Sequence, residues 1–258
     1  MSRYSMGGGA MPLTPMAKKL IIINVAIWLG AILIVQKFFM DEPSLFLWFG
    51  LIPERMVNGF WIWQPFTYMF LHSYSVFHIV FNMLLLWWLG ADLEQRWGSR
   101  FFLTYYLVCG VGAGLIYVLG MTIYYLASGN FGLMTIPVIG ASGAVFGLML
   151  AYGLLFGERM VYFMMIFPMK AKYFVLLLGA IEIVSLLNTG GRDGVANLAH
   201  LGGLVMGFLF LRFWGKWSQQ LMQGSKRKKR KGPKLRLVVD NERKFEDKED
   251  SEGPKYWN

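Results

Sequence analysis

The chain has 258 residues, of which 56% are hydrophobic, 17% aromatic and only 16% charged. Soluble domains usually carry about 25% charged residues, and the apolar residues here lie in blocks of helical length, so the composition excludes an ordinary soluble globular domain. The formal net charge is +10, and much of the excess comes from the basic run 226–231. Because the chain also contains several apolar segments of helical length, we interpret that run as a tail near anionic lipid headgroups and not as a nucleic-acid-binding surface.

Six apolar segments are candidates for membrane-spanning helices, each of which needs about 20 residues, although the second is somewhat short. In chain order they are 20–39, 76–91, 101–126, 141–156, 171–187 and 195–214. The apolar segment 160–167 is too short to span and is followed by Pro168, so we expect a loop at the membrane interface there. The predicted fold is an all-α polytopic membrane protein with six transmembrane helices.

The loops between these segments differ in charge, and the difference predicts the topology. One set of loops holds most of the basic residues: Lys18, Lys19, Arg96, Arg100, Arg159, Lys170, Lys172, Arg212 and Lys216. The positive-inside rule places that side, and both termini, in the cytoplasm. We therefore expect a cytoplasmic segment 1–19, a membrane domain 20–215 and a basic, mostly disordered cytoplasmic tail 216–258. No cleavable signal peptide or transit-like N-terminus is evident, which favours a bacterial inner membrane.

The connection between the first two spans is rich in aromatic residues. Its tryptophans and phenylalanines alternate with proline and glycine, at Trp48, Phe49, Pro53, Gly59, Phe60, Trp61, Trp63, Pro65 and Phe66. One uninterrupted helix cannot contain this pattern, and aromatic side chains concentrate at the membrane boundary. The sequence therefore predicts an interfacial first loop.

Four polar residues fall at similar depth near the outer ends of spans two, four and six. Ser142 begins span four, His200 lies about six residues into span six, and His78 and Asn82 lie early in span two. An ionisable side chain inside a span is by default a functional-site hypothesis. A neutral imidazole within about 3 Å can take the proton of a serine hydroxyl and make it a nucleophile. The free backbone N–H groups at the start of span four, together with His78 and Asn82, can then donate to an oxyanion.

Spans four and six each carry two glycines separated by four residues. They are Gly143 and Gly147 in span four, and Gly203 and Gly207 in span six. Small residues at this spacing let two helix backbones approach closely, which would bring Ser142 within reach of His200. Phe146 lies one turn after Ser142 and is expected to pack against the imidazole.

The order and spacing of these motifs resemble the rhomboid family of intramembrane serine proteases. The matching stretches are 72–82 (HSYSVFHIVFN), 94–98 (EQRWG), 140–143 (GASG) and 199–203 (AHLGG) with Gly207. The resemblance implies that Ser142 is the nucleophile and His200 the general base, in a dyad without an aspartate. It also implies that His78, Asn82 and the Ser142 amide hold the oxyanion, with Gly140 shaping that loop.

The same resemblance implies what the protein binds. It implies membrane-spanning protein substrates with small residues at the cleavage point, substrate access past span five and the first loop, and neither a cofactor nor a metal ion. Besides these substrates, we expect the protein to contact the lipid bilayer and not to bind nucleic acid. The sequence does not indicate an oligomeric state. The chain departs from the family pattern at Gln64, where rhomboids often carry arginine, and at Phe146, where they often carry tyrosine.

Two readings from other classes stay open at the level of sequence. One is a haem- or ion-handling membrane protein with His78 and His200 as ligands, and the other is an inactive rhomboid relative that acts as a scaffold. Zinc and paired-aspartate protease mechanisms lack their residues, since there is no His-Glu-x-x-His and no aspartate inside a span. Glu182, inside span five, is expected to face protein or a water cavity, as a gating or structural hydrogen-bonding group.

Overall fold

The computed structural model describes residues 12–40, 43–163, 167–189 and 194–226. In chain order its elements are α1 (Pro15–Ile27), a π-helical segment (Trp28–Gln36), α2 (Lys37–Phe39), α3 (Ser44–Phe49), α4 (Pro53–Gly59), α5 (Gln64–Thr67), a 3-10 turn (Tyr68–Phe70), α6 (Val76–Trp97), α7 (Ser99–Ser128), a second 3-10 turn (Phe131–Thr135), α8 (Ser142–Leu155), β1 (Met160–Phe163), β2 (Phe167–Lys170), α9 (Ala171–Thr189) and α10 (Gly194–Lys226). The predicted all-α membrane fold is confirmed.

Among the described residues, five helices are long and apolar enough to cross a membrane. They are Pro15–Phe39, Val76–Trp97, Ser99–Ser128, Ala171–Asn188 and Ala196–Trp214. The sixth apolar helix, α8, is shorter, with 14 residues, or about 21 Å at 1.5 Å per residue. A hydrocarbon core is about 30 Å thick. Because α8 packs against α6, α7 and α9 and most of its residues are buried, protein and not lipid surrounds it.

The first spanning helix is held at its start by a carboxylate from α6. Pro15 opens α1, where a missing N–H removes no helical hydrogen bond. The next two amides, of Met16 and Ala17, each donate to Glu94 over 2.9 Å. A negative charge at a helix N-terminus also interacts favourably with the helix dipole, so Glu94 joins α1 to the C-terminal end of α6.

The predicted interfacial loop consists of the short helices α3, α4 and α5 around one buried amide. Gln64 is fully buried: its side-chain oxygen accepts the Ile52 N–H over 3.0 Å, and its side-chain nitrogen donates to the carbonyls of Leu47 and Trp48 over 3.3 and 3.4 Å. The residue that departs from the family pattern therefore cross-links the loop through neutral hydrogen bonds. An arginine charge is not needed for these contacts.

Two tyrosines tie the first loop and α7 to the centre of the fold. The hydroxyl of Tyr68 donates to the carbonyl of Gly110 over 2.6 Å, and that of Tyr105 donates to the carbonyl of Gly147 over 2.8 Å. Both side chains are fully buried. Buried hydroxyls need such partners, and these two hold the first loop against α7 and α7 against α8.

The prediction of an irregular loop at 160–167 was wrong. Strands β1 and β2 pair antiparallel, with Met160 opposite Lys170 and Tyr162 opposite Pro168. The valine and aromatic residues of β1 favour extended backbone, and Pro168 is tolerated because each strand of a two-stranded sheet is an edge strand. The pairing satisfies backbone groups that a loop would leave to water.

The ends of the chain extend beyond the predicted spans. Helix α10 continues to Lys226, and the chain divides into a compact unit, Met1–Lys216, and a second unit, Trp217–Asn258. Most of the predicted N-terminal segment (1–11) and most of the predicted tail (227–258) lie outside the described residues. The proposed division into three domains stays a prediction.

Candidate active site

Ser142 and His200 meet where α8 and α10 cross. Ser142 is the first residue of α8, and His200 lies near the start of α10. The Ser142 Oγ and His200 Nε2 atoms are 2.8 Å apart, a hydrogen-bond distance in which the hydroxyl donates to the ring nitrogen. A serine bonded to an imidazole in this way is the arrangement that general-base activation requires.

The two predicted glycine pairs form the contact between these helices, which we call the α8–α10 seam (Gly143, Gly147, Gly203 and Gly207). A Cβ atom added at Gly203 would lie 1.9 Å from the carbonyl oxygen of Gly143, and one added at Gly207 would lie 3.3 Å from the Gly147 Cα. Since van der Waals contact needs well over 3 Å, only glycine permits the approach at Gly203. The seam is therefore what places Ser142 beside His200.

Phe146 fixes the plane of the imidazole. Its ring stacks on His200 with centroids 4.4 Å apart and an interplanar angle of 8°. It lies one helical turn after Ser142 on α8, so the same helix supplies both the hydroxyl and the stacking surface. The stacking predicted from the sequence is present, without the hydroxyl of the more usual tyrosine.

Gly140 lies between Ser142 and His78. Its φ of +124° is a conformation that L side chains rarely adopt, and an added Cβ would lie 2.8 Å from His78 Nε2 and 3.6 Å from Ser142 Oγ. Its N–H donates to the Tyr68 carbonyl over 2.9 Å, which holds the turn in place. The space above the Gly140 Cα is thus too narrow for a carbon side chain and is bordered by the serine hydroxyl and an imidazole nitrogen.

Hydrogen bonds with Ser73 show which ring nitrogen of a neutral His78 carries the proton. The backbone N–H of Ser73 lies 3.3 Å from His78 Nδ1, and the Ser73 hydroxyl lies 3.0 Å from the same atom. A backbone N–H can only donate, so Nδ1 accepts and the neutral ring carries its proton on Nε2. That N–H is the one directed toward Gly140.

Asn82 lies one turn after His78 on α6. Its side chain is buried, and its amide nitrogen donates to the carbonyl of His78 over 2.8 Å. One of its two N–H groups is therefore used within α6, and the other remains available as a donor. The structure brings Ser142, His200, His78 and Gly140 together directly, whereas the contact of Asn82 is with the backbone of His78.

Two residues near the site were not assigned to it from the sequence. His72 is fully buried, and its ring lies 5.1 Å from that of His78; burial, with the neighbouring His78 adding to it, lowers the pKa of His72 to about 3, so the ring is neutral. Glu182 on α9 places Oε1 3.1 Å from His200 Nδ1. The available signal was an acidic residue inside an apolar span, but the sequence does not indicate which residue it contacts.

A serine–imidazole pair at the start of a helix, with donors beside it and membrane-spanning helices around it, defines the class of intramembrane serine hydrolases. Residues 60–216 match the family described as Rhomboid domain, and the chain belongs to the rhomboid family. The predicted family, and with it the serine endopeptidase activity, is confirmed.

Individual relatives agree with this assignment. The chain is 30% identical over 217 residues to "Rhomboid protease AarA" of Providencia stuartii, covering 81% of this chain and 73% of that protein. It is 36% identical over 157 residues to "RHOMBOID-like protein 1" of Arabidopsis thaliana (60% and 35%). It is 33% identical over 156 residues to "Rhomboid protease GlpG" of Yersinia pseudotuberculosis (59% and 48%). The chain thus spans less than half the length of the last two relatives.

Proposed function

We propose that this protein hydrolyses peptide bonds in or near the transmembrane segments of membrane-protein substrates, with Ser142 as nucleophile and His200 as general base. The observation that supports the proposal most directly is the 2.8 Å hydrogen bond between their side chains at the start of α8. The close seam below it and the stacked Phe146 hold that pair without long flexible connections.

The reaction proceeds through an acyl-enzyme. Ser142 Oγ attacks the substrate carbonyl carbon while its proton passes to His200 Nε2, and the resulting imidazolium then protonates the leaving amine. Water enters, gives a proton to the same nitrogen and attacks the ester carbonyl. Collapse of the second tetrahedral intermediate releases the new carboxyl end and returns the proton to Ser142.

The oxyanion binds in the space above Gly140. The N–H of Ser142 has no acceptor within α8 because it belongs to the first turn, and the helix dipole makes that end electropositive. His78 Nε2–H approaches the same space from α6, and Asn82 supports it from behind or donates its second N–H. Donors already in place lower the transition-state energy without reorganisation.

The site is recessed from the outer face of the membrane. Helix α8 is about 9 Å shorter than a hydrocarbon core, so its serine end lies below the surface when its other end is level with the neighbouring helices. The charge pattern supports cytoplasmic termini, and with that topology the recess opens to the outer face of a bacterial inner membrane. Water reaches Ser142 from that side.

Cleavage of a fluorescent transmembrane substrate by purified protein tests the proposal. Wild type should cleave and react with a fluorophosphonate probe, whereas Ser142→Ala should do neither. Ser128→Ala is the matched control, because that serine is the last residue of α7 and its hydroxyl bonds locally, donating to the Tyr124 carbonyl and accepting from the Asn130 N–H. Equal cleavage by wild type and Ser142→Ala would refute the dyad. A Soret band without probe labelling would favour haem binding instead.

A further inference from the structure

Glu182 is an acidic residue whose side chain turns inward from α9, a helix few of whose residues are buried. Its side chain is 13% exposed, whereas the flanking Ile181 and Ile183 are 43% and 49% exposed. Acidic residues within spans are rare because the bilayer disfavours their charge, and they usually mark a functional contact. We therefore expect the Glu182 side chain to make a functional contact at this position.

Among the described residues, Glu182 pairs with the histidine of the proposed dyad. Glu182 Oε1 lies 3.1 Å from His200 Nδ1. The two groups do not yet have the alignment of a full hydrogen bond, and Glu182 Oε2 has no hydrogen-bond partner among the described residues. Catalytic hydrogen bonds are often poorly aligned before substrate binds and tighten in the complex.

The proton positions on His200 give this contact a chemical role. His200 Nε2 must be unprotonated to accept the Ser142 hydroxyl, so the neutral ring carries its proton on Nδ1. That N–H faces the carboxylate, which favours the tautomer needed for a general base. When Nε2 takes the serine proton, the ring becomes a cation 3.1 Å from Oε1.

Within the described residues, His78 on α6 is a second ionisable neighbour of His200. His78 uses Nε2–H on the oxyanion side, and its Nδ1 is occupied by Ser73. It therefore supplies no negative charge to the imidazolium. Within the described part of the site, Glu182 is the group that can balance the positive charge formed during acylation.

We propose that Glu182 is a positioning residue that holds His200 in its Nδ1–H tautomer and stabilises the imidazolium, so that the dyad works as a triad built from α8, α10 and α9. This inference rests on the proposed function of Ser142 and His200. It makes the catalytic rate depend on the position of α9, because that helix carries the third group.

The first test compares the kinetics of Glu182→Gln and Glu182→Asp with those of wild type. Glutamine keeps the shape and removes the charge, so kcat should fall on the order of 10²-fold while KM changes less than about twofold. Aspartate restores the charge on a shorter side chain and should recover part of the loss. Glu158→Gln, which makes the same chemical change at an exposed glutamate, should cleave like wild type.

The second test is spectroscopic and does not depend on substrate. The chain contains three histidines, so ¹⁵N labelling of histidine gives few signals, and a His200→Ala variant assigns those of His200. Wild type should show the Nδ1–H tautomer, and Glu182→Gln should show a mixture of tautomers. Unfolding temperatures followed with a thiol-reactive dye on the buried Cys109 should stay within a few degrees.

The outcomes separate this inference from the proposed function. If Ser142→Ala is inactive but Glu182→Gln keeps the wild-type kcat, the triad is wrong and the dyad stands. If Glu182→Gln unfolds, or if it stays folded and loses activity with an unchanged His200 tautomer, Glu182 is structural and the inference is also wrong. If Ser142→Ala is active, the proposed function itself fails.

Discussion

The α8–α10 seam and helix α9 support the candidate site in opposite ways. At the seam the backbones touch, so that a Cβ at Gly203 would lie 1.9 Å from the carbonyl oxygen of Gly143. In α9 a Cβ at Gly179 would lie 3.5 Å from its nearest neighbour, Leu204, and only 11% of the spanning window is buried, against 50% for α7. Ser142 and His200 are thus held by backbone contact, whereas Glu182 is carried by a helix that packs less closely on its neighbours.

The largest expected effect comes from adding one methyl group at the seam. Gly203→Ala should force α8 and α10 apart and destabilise the protein by about 3 kcal/mol or more, with loss of cleavage. Gly179→Ala is the matched change on α9 and should be neutral or stabilise by about 0.5–1 kcal/mol, because glycine weakens helices relative to alanine. Thermal unfolding and substrate cleavage are measured for both variants. Equal losses of stability and cleavage in Gly203→Ala and Gly179→Ala would show that the seam and α9 do not differ in how closely they pack.

A smaller and more local effect is expected just before α8. Gly140→Ala forces a side chain into a backbone conformation with φ +124° and into the space beside His78 Nε2. We expect kcat/KM to fall about 10²–10³-fold through the blocked oxyanion site, with a stability loss of about 1–3 kcal/mol from backbone strain.

Gly129→Ala is the control for that strain. Gly129 also has a positive φ, of +71°, and nothing lies within 4 Å of an added Cβ. This variant should lose about 1–2 kcal/mol of stability and keep its kcat/KM. A Gly140→Ala variant that cleaves as well as Gly129→Ala would argue that the oxyanion lies elsewhere.

The smallest expected effect lies at the hairpin that leads into α9. Glu158 pairs with Lys170 and Lys172, and these hydrogen-bonded lysines lower the pKa of Glu158 from 4.5 to about 2. The pair's contribution to stability is therefore complete above about pH 5 and is lost as the pH falls toward 2. Because the carboxylate is exposed, salt screens the attraction.

That dependence is measured as the difference in unfolding temperature between wild type and Glu158→Gln. The difference should be small at pH 7, shrink between about pH 4.5 and 2, and diminish further in high salt. A large difference that salt does not reduce would show that the hairpin holds α9 more rigidly than its burial indicates.

Periodicity and spacing predicted much of this structure because each depends on short stretches of chain. Apolar length placed the spans, and glycines four residues apart at 203 and 207 indicated a close crossing with α8. The contact between Glu182 and His200 was not predictable, since the rotation of α9 about its axis depends on packing that no local pattern records. The same holds for Gln64, whose partners lie on α3 and on the residue just before α4.

The hairpin shows a different limit. Residues 160–170 are apolar enough to be read as an interfacial loop, and their alternation is too short to distinguish a strand. Pairing between Val161 and Met169 becomes visible only in three dimensions. The catalytic roles of Ser142 and His200 remain predictions, although the atoms they would use lie 2.8 Å apart.

The carboxylate of Glu94 has a consequence for biosynthesis. It is separated by 77 residues from Ala17, whose amide it binds, so the ribosome completes α1 well before the partner of its first turn exists. At about 5–20 residues per second, α1 waits on the order of 4–15 s before those amides find their partner. When α6 is made, Glu94 accepts hydrogen bonds from the first amides of α1. The helix that is synthesised first therefore gains its N-terminal hydrogen bonds only after a later helix packs against it.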